Sequence, residues 1–374
     1  MKIGYDAKRA YHNTTGLGNY SRTLINALAK LYPGHEYYLF NPKPSTKYHF
    51  NKPNIHEVLP SSLLAKLLPS LWRSKLVVAD LVKEGIDIFH GLSHEIPVGL
   101  KKTTIKSVVT IHDLIPERFP EQYSKIDVRI YHKKFLYACN NADKIIAISH
   151  QTKNDILTYY DIPEDKIAVC YQSCDPSFSI KVDKDNKNII AEKYKLPSSF
   201  YLYVGSLIKR KNLLAVCKAV KLLNNHVPLV VIGDGKEYKA AVKAFIRASG
   251  IERKIIFLSE QSPKPVFADL PAIYQLATAM IYPSFFEGFG LPVMEALSSG
   301  LPVITSNVSC LPEAGGDAAI YVDPNEPQQI ADAMALIIRE PAVSESMIQK
   351  GYVYAQQFHT DICAARVMDV YSAL

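Results

Sequence analysis

YPSFFEGFGLPVMEALSSG, residues Tyr282 to Gly300, holds two carboxylates, Glu287 and Glu295, eight positions apart. Gly288 and Gly290 lie between them and let backbone approach a ligand closely, and Pro292 suits the first position of a helix. Gly300 supplies the left-handed residue on which helices commonly end. The run therefore reads as strand, glycine turn, helix. The free N–H groups of a helix start attract anions, so Gly290 and Leu291 can face a phosphate while the two glutamates accept hydroxyls on either side. The pattern predicts a ligand that is both phosphate and polyol; read alone, it also fits a tight corner with one glutamate solvated and the other ion-paired.

Working outward, the stretch closes a series of strand-like runs: FYLYVGS, PLVVIGDG, KIIFLSE, ATAMIYPS, then LPVITS and AAIYVDP. Helical patterns separate most of them. Strands alternating with helices predict an α/β domain with a doubly wound parallel sheet, and such sheets place their sites at the carboxyl ends of the strands. At one such end, residues 203–212 read YVGSLIKRKN and bring Lys209, Arg210 and Lys211 to the start of a helix. Cations beside a helix start suit a diphosphate. A solvated basic turn is the plainer reading of three adjacent charges.

The amino-terminal half repeats the alternation. Strand-like runs occur at 2–7, 87–90, 106–112, 144–148 and 166–171, and residues 20–31 have helical spacing. The intervening HNTTGLGNY carries Gly16 and Gly18, which resemble the opening of a dinucleotide fingerprint. A third glycine is missing and no acidic residue closes the second strand, which ends in Asn41. A nicotinamide cofactor is disfavoured; a glycine loop opening a helix can still face a phosphate or an acceptor. His112 stands at a strand end before the turn-like Asp113 to Pro116, where a functional role and a satisfied turn residue are both open readings. Residues 61–83 are apolar but carry Lys66, Arg73, Lys75 and the only tryptophan, Trp72. They fit a helix packed on the sheet and also an amphipathic contact with a membrane surface. Residues 176–200 are polar and read as the linker, with Asp183 and Asp185 as solvated charge. The last helical pattern, DICAARVMDVYSAL, has an apolar face with nothing left to cover in its own domain, so it is expected to cross back.

A chain of 374 residues exceeds a typical single core and predicts two domains. No apolar run reaches the length of a membrane span and MKIGYDAKRA lacks a signal-peptide core, so a cytoplasmic protein is expected. The six cysteines show no metal-like or paired spacing and read as reduced thiols. Residues 1–180 hold 23 Lys+Arg against 17 Asp+Glu, a net of +6; residues 181–374 hold 20 against 19, a net of +1. The basic half favours an acidic partner, such as a nucleic acid, an anionic membrane or a phosphorylated substrate, although a merely soluble surface accounts for the charge too.

The joint set, a glycine loop in one half and a Gly-x5-Lys turn with Glu-x7-Glu around a glycine corner in the other, resembles family 4 of the retaining nucleotide-sugar glycosyltransferases. The resemblance covers nearly the whole chain and is strongest from Tyr203 to Pro324. It implies the GT-B fold, two Rossmann-like domains facing a central cleft: 1–178 for the acceptor, 179–356 for the nucleotide sugar, and 357–374 crossing back to the first. By the same likeness Glu287 contacts hydroxyls of the donor sugar. The backbone of Gly288, Phe289, Gly290 and Leu291 holds sugar and phosphate, and Glu295 takes the ribose hydroxyls. Lys211 neutralises the diphosphate, helped by Arg210 or by the position of Ser206, where the family usually has arginine. Gly16 and Gly18 match the loop that closes over phosphates and acceptor, His112 the histidine at the donor sugar, and Gly233 and Leu258 to Glu260 the loops bordering the base.

The implied reaction leaves a nucleoside diphosphate, whose charge Lys211, Arg210 and the helix start stabilise without a metal or a cofactor. Retention is expected by same-face attack, with closure of the two domains through the linker. The Arg-Lys-Asn and His-Asp-Leu-Ile-Pro segments resemble those of mannosyltransferases that use GDP-mannose, and this likeness favours that donor over a UDP-hexose. The implied partners are the nucleotide sugar, a glycan or lipid-linked acceptor and an anionic membrane, not nucleic acid. A nucleotide-sugar 2-epimerase and a non-catalytic nucleotide-sugar sensor share the fold and remain alternatives.

Overall fold

The computed structural model describes Met1 to Leu374. By internal contacts the chain forms two units, Met1–Ser173 with Phe358–Leu374, and Cys174–Gln357. The first division thus falls at 173/174, not at 178/179. Phe178 explains the difference: it is fully buried against Phe267 and Tyr274, ring centroids 6.0 and 5.0 Å away, and so belongs to the second core.

The first unit is built on seven strands, β1 Lys2–Asp6, β2 Glu36–Phe40, β3 Ile55–Val58, β4 Ile88–Gly91, β5 Lys106–Ile111, β6 Lys144–Ala147 and β7 Ile167–Val169. Their order is β3-β2-β1-β4-β5-β6-β7 and every pairing is parallel, with Ile3 opposite both Tyr37 and Ile88. The short β3, IHEV, has no alternation strong enough to mark it beforehand. The second unit holds β8 Tyr201–Val204, β9 Leu229–Ile232, β10 Ile255–Phe257, β11 Ala279–Tyr282, β12 Val303–Ser306 and β13 Ala319–Val322, ordered β10-β9-β8-β11-β12-β13 and again parallel throughout. Central strands β4, β11 and β12 are buried at every position, as a sheet covered on both faces requires. The strand order reverses between β1 and β4 in one unit and between β8 and β11 in the other. Ligands of open α/β sheets bind in the crevice at that point.

Three local expectations are corrected. The helix expected from Tyr20 spans Gly16–Leu31, so Gly16 and Gly18 lie in its first turn and not in a free loop. Asn13 folds back on that turn, its Oδ1 accepting from the N–H groups of Thr15 and Gly18; a Cβ at Gly18 would collide with the Asn13 carbonyl. The expected linker contains a helix, Lys184–Lys193, whose start is capped by the Asp183 carboxylate accepting from Asn186 N at 2.8 Å. Lys193 and the buried Tyr194 both bond Asp269 at 2.6 Å and tie this segment into the second unit. Finally, residues 61–83 are not a single helix. Helix Leu63–Leu67, a turn at Pro69–Leu71 and a wider turn at Trp72–Leu76 precede helix Val77–Glu84. Trp72 is core, donating to Asp80 at 2.6 Å.

The last helix, Thr360–Ser372, packs on Gly16–Leu31 with Ala364, Val367, Met368 and Tyr371 buried. Tyr371 Oη sits 2.6 Å from His90 Nδ1 and 3.3 Å from Tyr5 Oη, inside the first core. All six cysteines are free. No helix is long and apolar enough to cross a membrane.

Candidate active site

In the second unit the quoted stretch leaves β11 at Tyr282, turns through Ser284 to Phe289, and enters the helix Leu291–Ser298. Gly290 makes that corner. Its φ of 102° belongs to the left-handed region, and a Cβ there would press on Leu311 at 3.0 Å. The N–H groups of Gly290 and Leu291 find no acceptor in the chain and open the helix. Gly300 ends it at φ 69°, as the sequence predicts.

Glu287 is buried at the turn and is the hub of the site. Lys211 Nζ lies 3.3 Å from its Oε1 and Arg210 Nη1 3.0 Å from its Oε2. Tyr282 Oη accepts from Lys211 Nζ at 2.6 Å and donates to Glu287 Oε1 at 2.8 Å, while Ser284 Oγ donates to the same oxygen at 2.9 Å. The Glu287 backbone is pinned by Ser309 and Cys310, and Arg210 also donates to the Phe286 carbonyl. Burial alone would raise the Glu287 carboxyl, but Lys211 and Arg210, with the Tyr282 and Ser284 donors, outweigh it and hold it at about 2. Both cations expected at a diphosphate are thus already gathered on one carboxylate.

The cations are placed by Asn212, which adopts a left-handed conformation at φ 58° that asparagine tolerates. Its amide donates to the carbonyls of Pro283 at 3.1 Å and Pro324 at 2.7 Å, joining three loops at the carboxyl edge of the sheet. Earlier in the same loop, Gly205 and Ser206 follow β8, with Ser206 exposed. Gly233 ends β9 at φ 152°, and its Cα approaches the Gly205 carbonyl so closely that any Cβ would overlap it. Leu258 is buried in a short turn after β10.

Glu295, one turn into the helix, has the opposite electrostatics. Desolvation lifts its carboxyl to about 7, opposed by the 2.6 Å hydrogen bond from Tyr274 Oη and by the charge of Lys211. Lys211 therefore acts on both glutamates. Phe289 is buried and offers only backbone to a ligand.

In the first unit His112 follows β5 and is buried. Its Nε2 faces the Leu92 carbonyl at 2.8 Å, which assigns the proton there, and its Nδ1 faces the Gln172 amide at 2.7 Å. Burial, then the neighbouring His94, lowers its pKa to about 3, so the ring is neutral. A sugar hydroxyl has to replace one of these partners to reach a ring nitrogen. Gly16 and Gly18 open the helix beside β1, at the reversal of strand order.

Sequence reasoning missed Tyr282, Ser284 and Asn212, which lie inside the segments it singled out. Their signal was position: Tyr282 is the last strand residue and Asn212 the residue before a helix. Tyr274 had no local signal, because only folding brings it to Glu295.

Residues 14–178 match the family model described as Glycosyltransferase Family 4, and residues 185–354 match the model described as Glycosyl transferases group 1. O-antigen chain mannosyltransferase B of Escherichia coli is 28% identical over 393 aligned positions, covering 100% of both chains. Among solved structures, sucrose-phosphate synthase of Thermosynechococcus elongatus superposes with TM-score 0.79 at 18% identity, covering 100% of this chain and 98% of that one. Anabaena Alr3699/HepE in complex with UDP-glucose gives TM-score 0.73 at 16% identity and 100% coverage of both. With two Rossmann-like units of the GT-B fold, each matched by its own model, the chain belongs to the group 1 and family 4 glycosyltransferases.

Proposed function

We propose that this glycosyltransferase moves a hexose, mannose in the favoured case, from a nucleoside-diphosphate sugar to a glycan or lipid-linked acceptor during cell-surface polysaccharide synthesis. The observation that carries the reading is the convergence of Arg210, Lys211 and Glu287 beside an open helix start at the strand reversal of the second unit. A donor diphosphate competes with Glu287 for the two cations and accepts from the Gly290 and Leu291 amides; Glu287 then accepts hydroxyls of the sugar. Glu295, on the same helix, takes the ribose. Mannose and GDP-mannose follow from the likeness to an O-antigen mannosyltransferase and from the Arg-Lys-Asn segment. UDP-hexose is the second reading, favoured by the UDP-glucose held by HepE on the same fold.

Transfer forms the bond from the acceptor hydroxyl oxygen to the anomeric carbon and breaks the bond from that carbon to the phosphate oxygen. The hydroxyl proton passes to the leaving diphosphate, which Lys211 and Arg210 stabilise as charge develops. Attack on the face the phosphate leaves retains configuration. The enzyme works at the cytoplasmic side of a membrane, with the exposed leucines of residues 63–71 toward the lipid while Trp72, Val77 and Leu81 stay in the core.

Incubation with a panel of nucleotide sugars, read by mass spectrometry, tests the donor. GDP-mannose is expected to be hydrolysed slowly without an acceptor, at the same rate with and without a chelator. Faster turnover of a UDP-hexose selects the second reading, and chelator-sensitive activity restored by a divalent ion overturns metal independence.

A further inference from the structure

The loop that leaves β4, residues 92–95, folds back over the carboxyl end of β5. Gly91 permits this, since a Cβ there would overlap the Glu95 carbonyl. The His94 N–H donates to the Thr110 carbonyl at 2.9 Å, which sets the loop against the strand that leads into His112. His94 itself takes φ 62°, a left-handed conformation that few residues other than glycine adopt, although histidine tolerates it better than most. Such departures persist where the surroundings fix them, and they gather at functional sites.

The His94 ring is fixed on its face and at its edge. Its face lies on the buried Phe135 ring, with centroids 4.5 Å apart and planes 19° from parallel. At its edge, Nε2 accepts from the backbone N–H of His112 at 3.1 Å and, at a longer 3.4 Å, from that of Asp113. An acceptor there has to be unprotonated. Burial, then the charge of Arg9, lowers the His94 pKa to about 3, so the ring is neutral with its proton on Nδ1. The same loop holds the His112 ring, whose Nε2–H donates to the Leu92 carbonyl at 2.8 Å. The loop therefore grips His112 at its main chain through His94 and at its ring through Leu92. Tyr20 closes one side of the ring edge-on, with centroids 4.8 Å apart.

Nδ1 of His112 is left as an acceptor, covered by the Gln172 amide at 2.7 Å. The Leu92 carbonyl belongs to the backbone of the clamped loop, whereas the Gln172 amide ends a rotatable side chain. Gln172 is thus the partner that a ligand displaces. A ring that only filled space against Phe135 would need neither a left-handed backbone nor an acceptor aimed at two amides.

We propose that His94 is a positioning residue for sugar transfer: with Leu92 it locks His112 in the tautomer that offers Nδ1 to a hydroxyl of the sugar. The hydroxyl donates to Nδ1 in place of the Gln172 amide, so the site selects a hydrogen-bond donor at that point. The inference rests on the transferase reading for its ligand and on the hydrogen bonds alone for the lock.

Two substitutions separate positioning from packing, because both remove the ring from Phe135. His94→Gln keeps an amide oxygen about as far from Cα as Nε2 was, whereas His94→Asn ends one bond short but suits the left-handed backbone better. For a purely structural histidine, asparagine is the milder change in every readout. Here the melting temperature should favour His94→Asn, while GDP-mannose hydrolysis should fall by about tenfold to a hundredfold in His94→Asn and recover most of that loss in His94→Gln. In a His112→Ala background, His94→Asn should slow hydrolysis no further, as expected of a residue that acts through His112. Nitrogen-15 NMR of histidine-labelled protein should show His112 protonated on Nε2 alone, with a second tautomer appearing in His94→Asn and not in His94→Gln. A His112 protonated on Nδ1, a His94→Gln as slow as His94→Asn, or full additivity with His112→Ala overturns the inference. If the unmodified protein hydrolyses no donor of the nucleotide-sugar panel, the transferase reading alone falls, and the His112 nitrogen signals decide for or against the lock.

Discussion

Glu287 and Glu295 stand eight positions apart in sequence and are held in opposite ionisation regimes by what folding brings to them. Glu287 has two cations and two hydroxyl donors and stays ionised; Glu295 has one tyrosine and a dry setting, so its proton is exchanged near neutrality. Lys211→Ala should slow donor hydrolysis by about a hundred- to a thousandfold, the scale of losing one electrostatic stabiliser, and initial rates at saturating donor check this. Arginine at that position should not restore the rate, because a planar fork does not reproduce the single ammonium shared between Tyr282 and Glu287. For Glu295 the ionised carboxylate is the better acceptor of ribose hydroxyls. Nucleoside-diphosphate affinity should therefore rise from about pH 6 to about pH 8, and Glu295→Gln should remove the part of that rise beyond the nucleotide's own titration, as calorimetry across the range would show. The residues 282–300 named both carboxylates as candidates. Their charge states were not legible, because Tyr274 and Lys211 lie far off in the chain.

At the scale of elements, two segments read as loops turned out to be helical for the same reason. The Gly16 turn is helical because Asn13 and Thr15 satisfy its first N–H groups, and Lys184–Lys193 because Asp183 caps it and Tyr194 anchors its end. The composition of residues 176–200 is that of a linker, and few of its side chains are buried; one cap and one anchored tyrosine decide the matter. Asp183→Ala should lower the melting temperature in a thermal unfolding series, because it leaves the start of this helix without its side-chain acceptor. Donor hydrolysis at 25 °C should be unchanged, because the cap lies outside the Glu287 cluster.

At the scale of the whole molecule, each unit is a parallel sheet with one reversal of strand order, and the chain's last helix closes the first core. Tyr371 is the keystone of that return, fully buried and bonded to His90 and Tyr5. Tyr371→Ala should cost about 3 to 5 kcal/mol, seen as an early unfolding transition, from the lost ring and two orphaned buried groups. The alternation of strands and helices, the doubled α/β plan, the glycine corner and the cation turn were all determined by the sequence itself, since local periodicity and turn chemistry act between near neighbours. The strand orders, the neutral His112 and the opposite charge states of the two glutamates were decided only by tertiary structure. Each of these depends on desolvation or on a partner distant in the chain, and neither is written in the spacing of nearby residues.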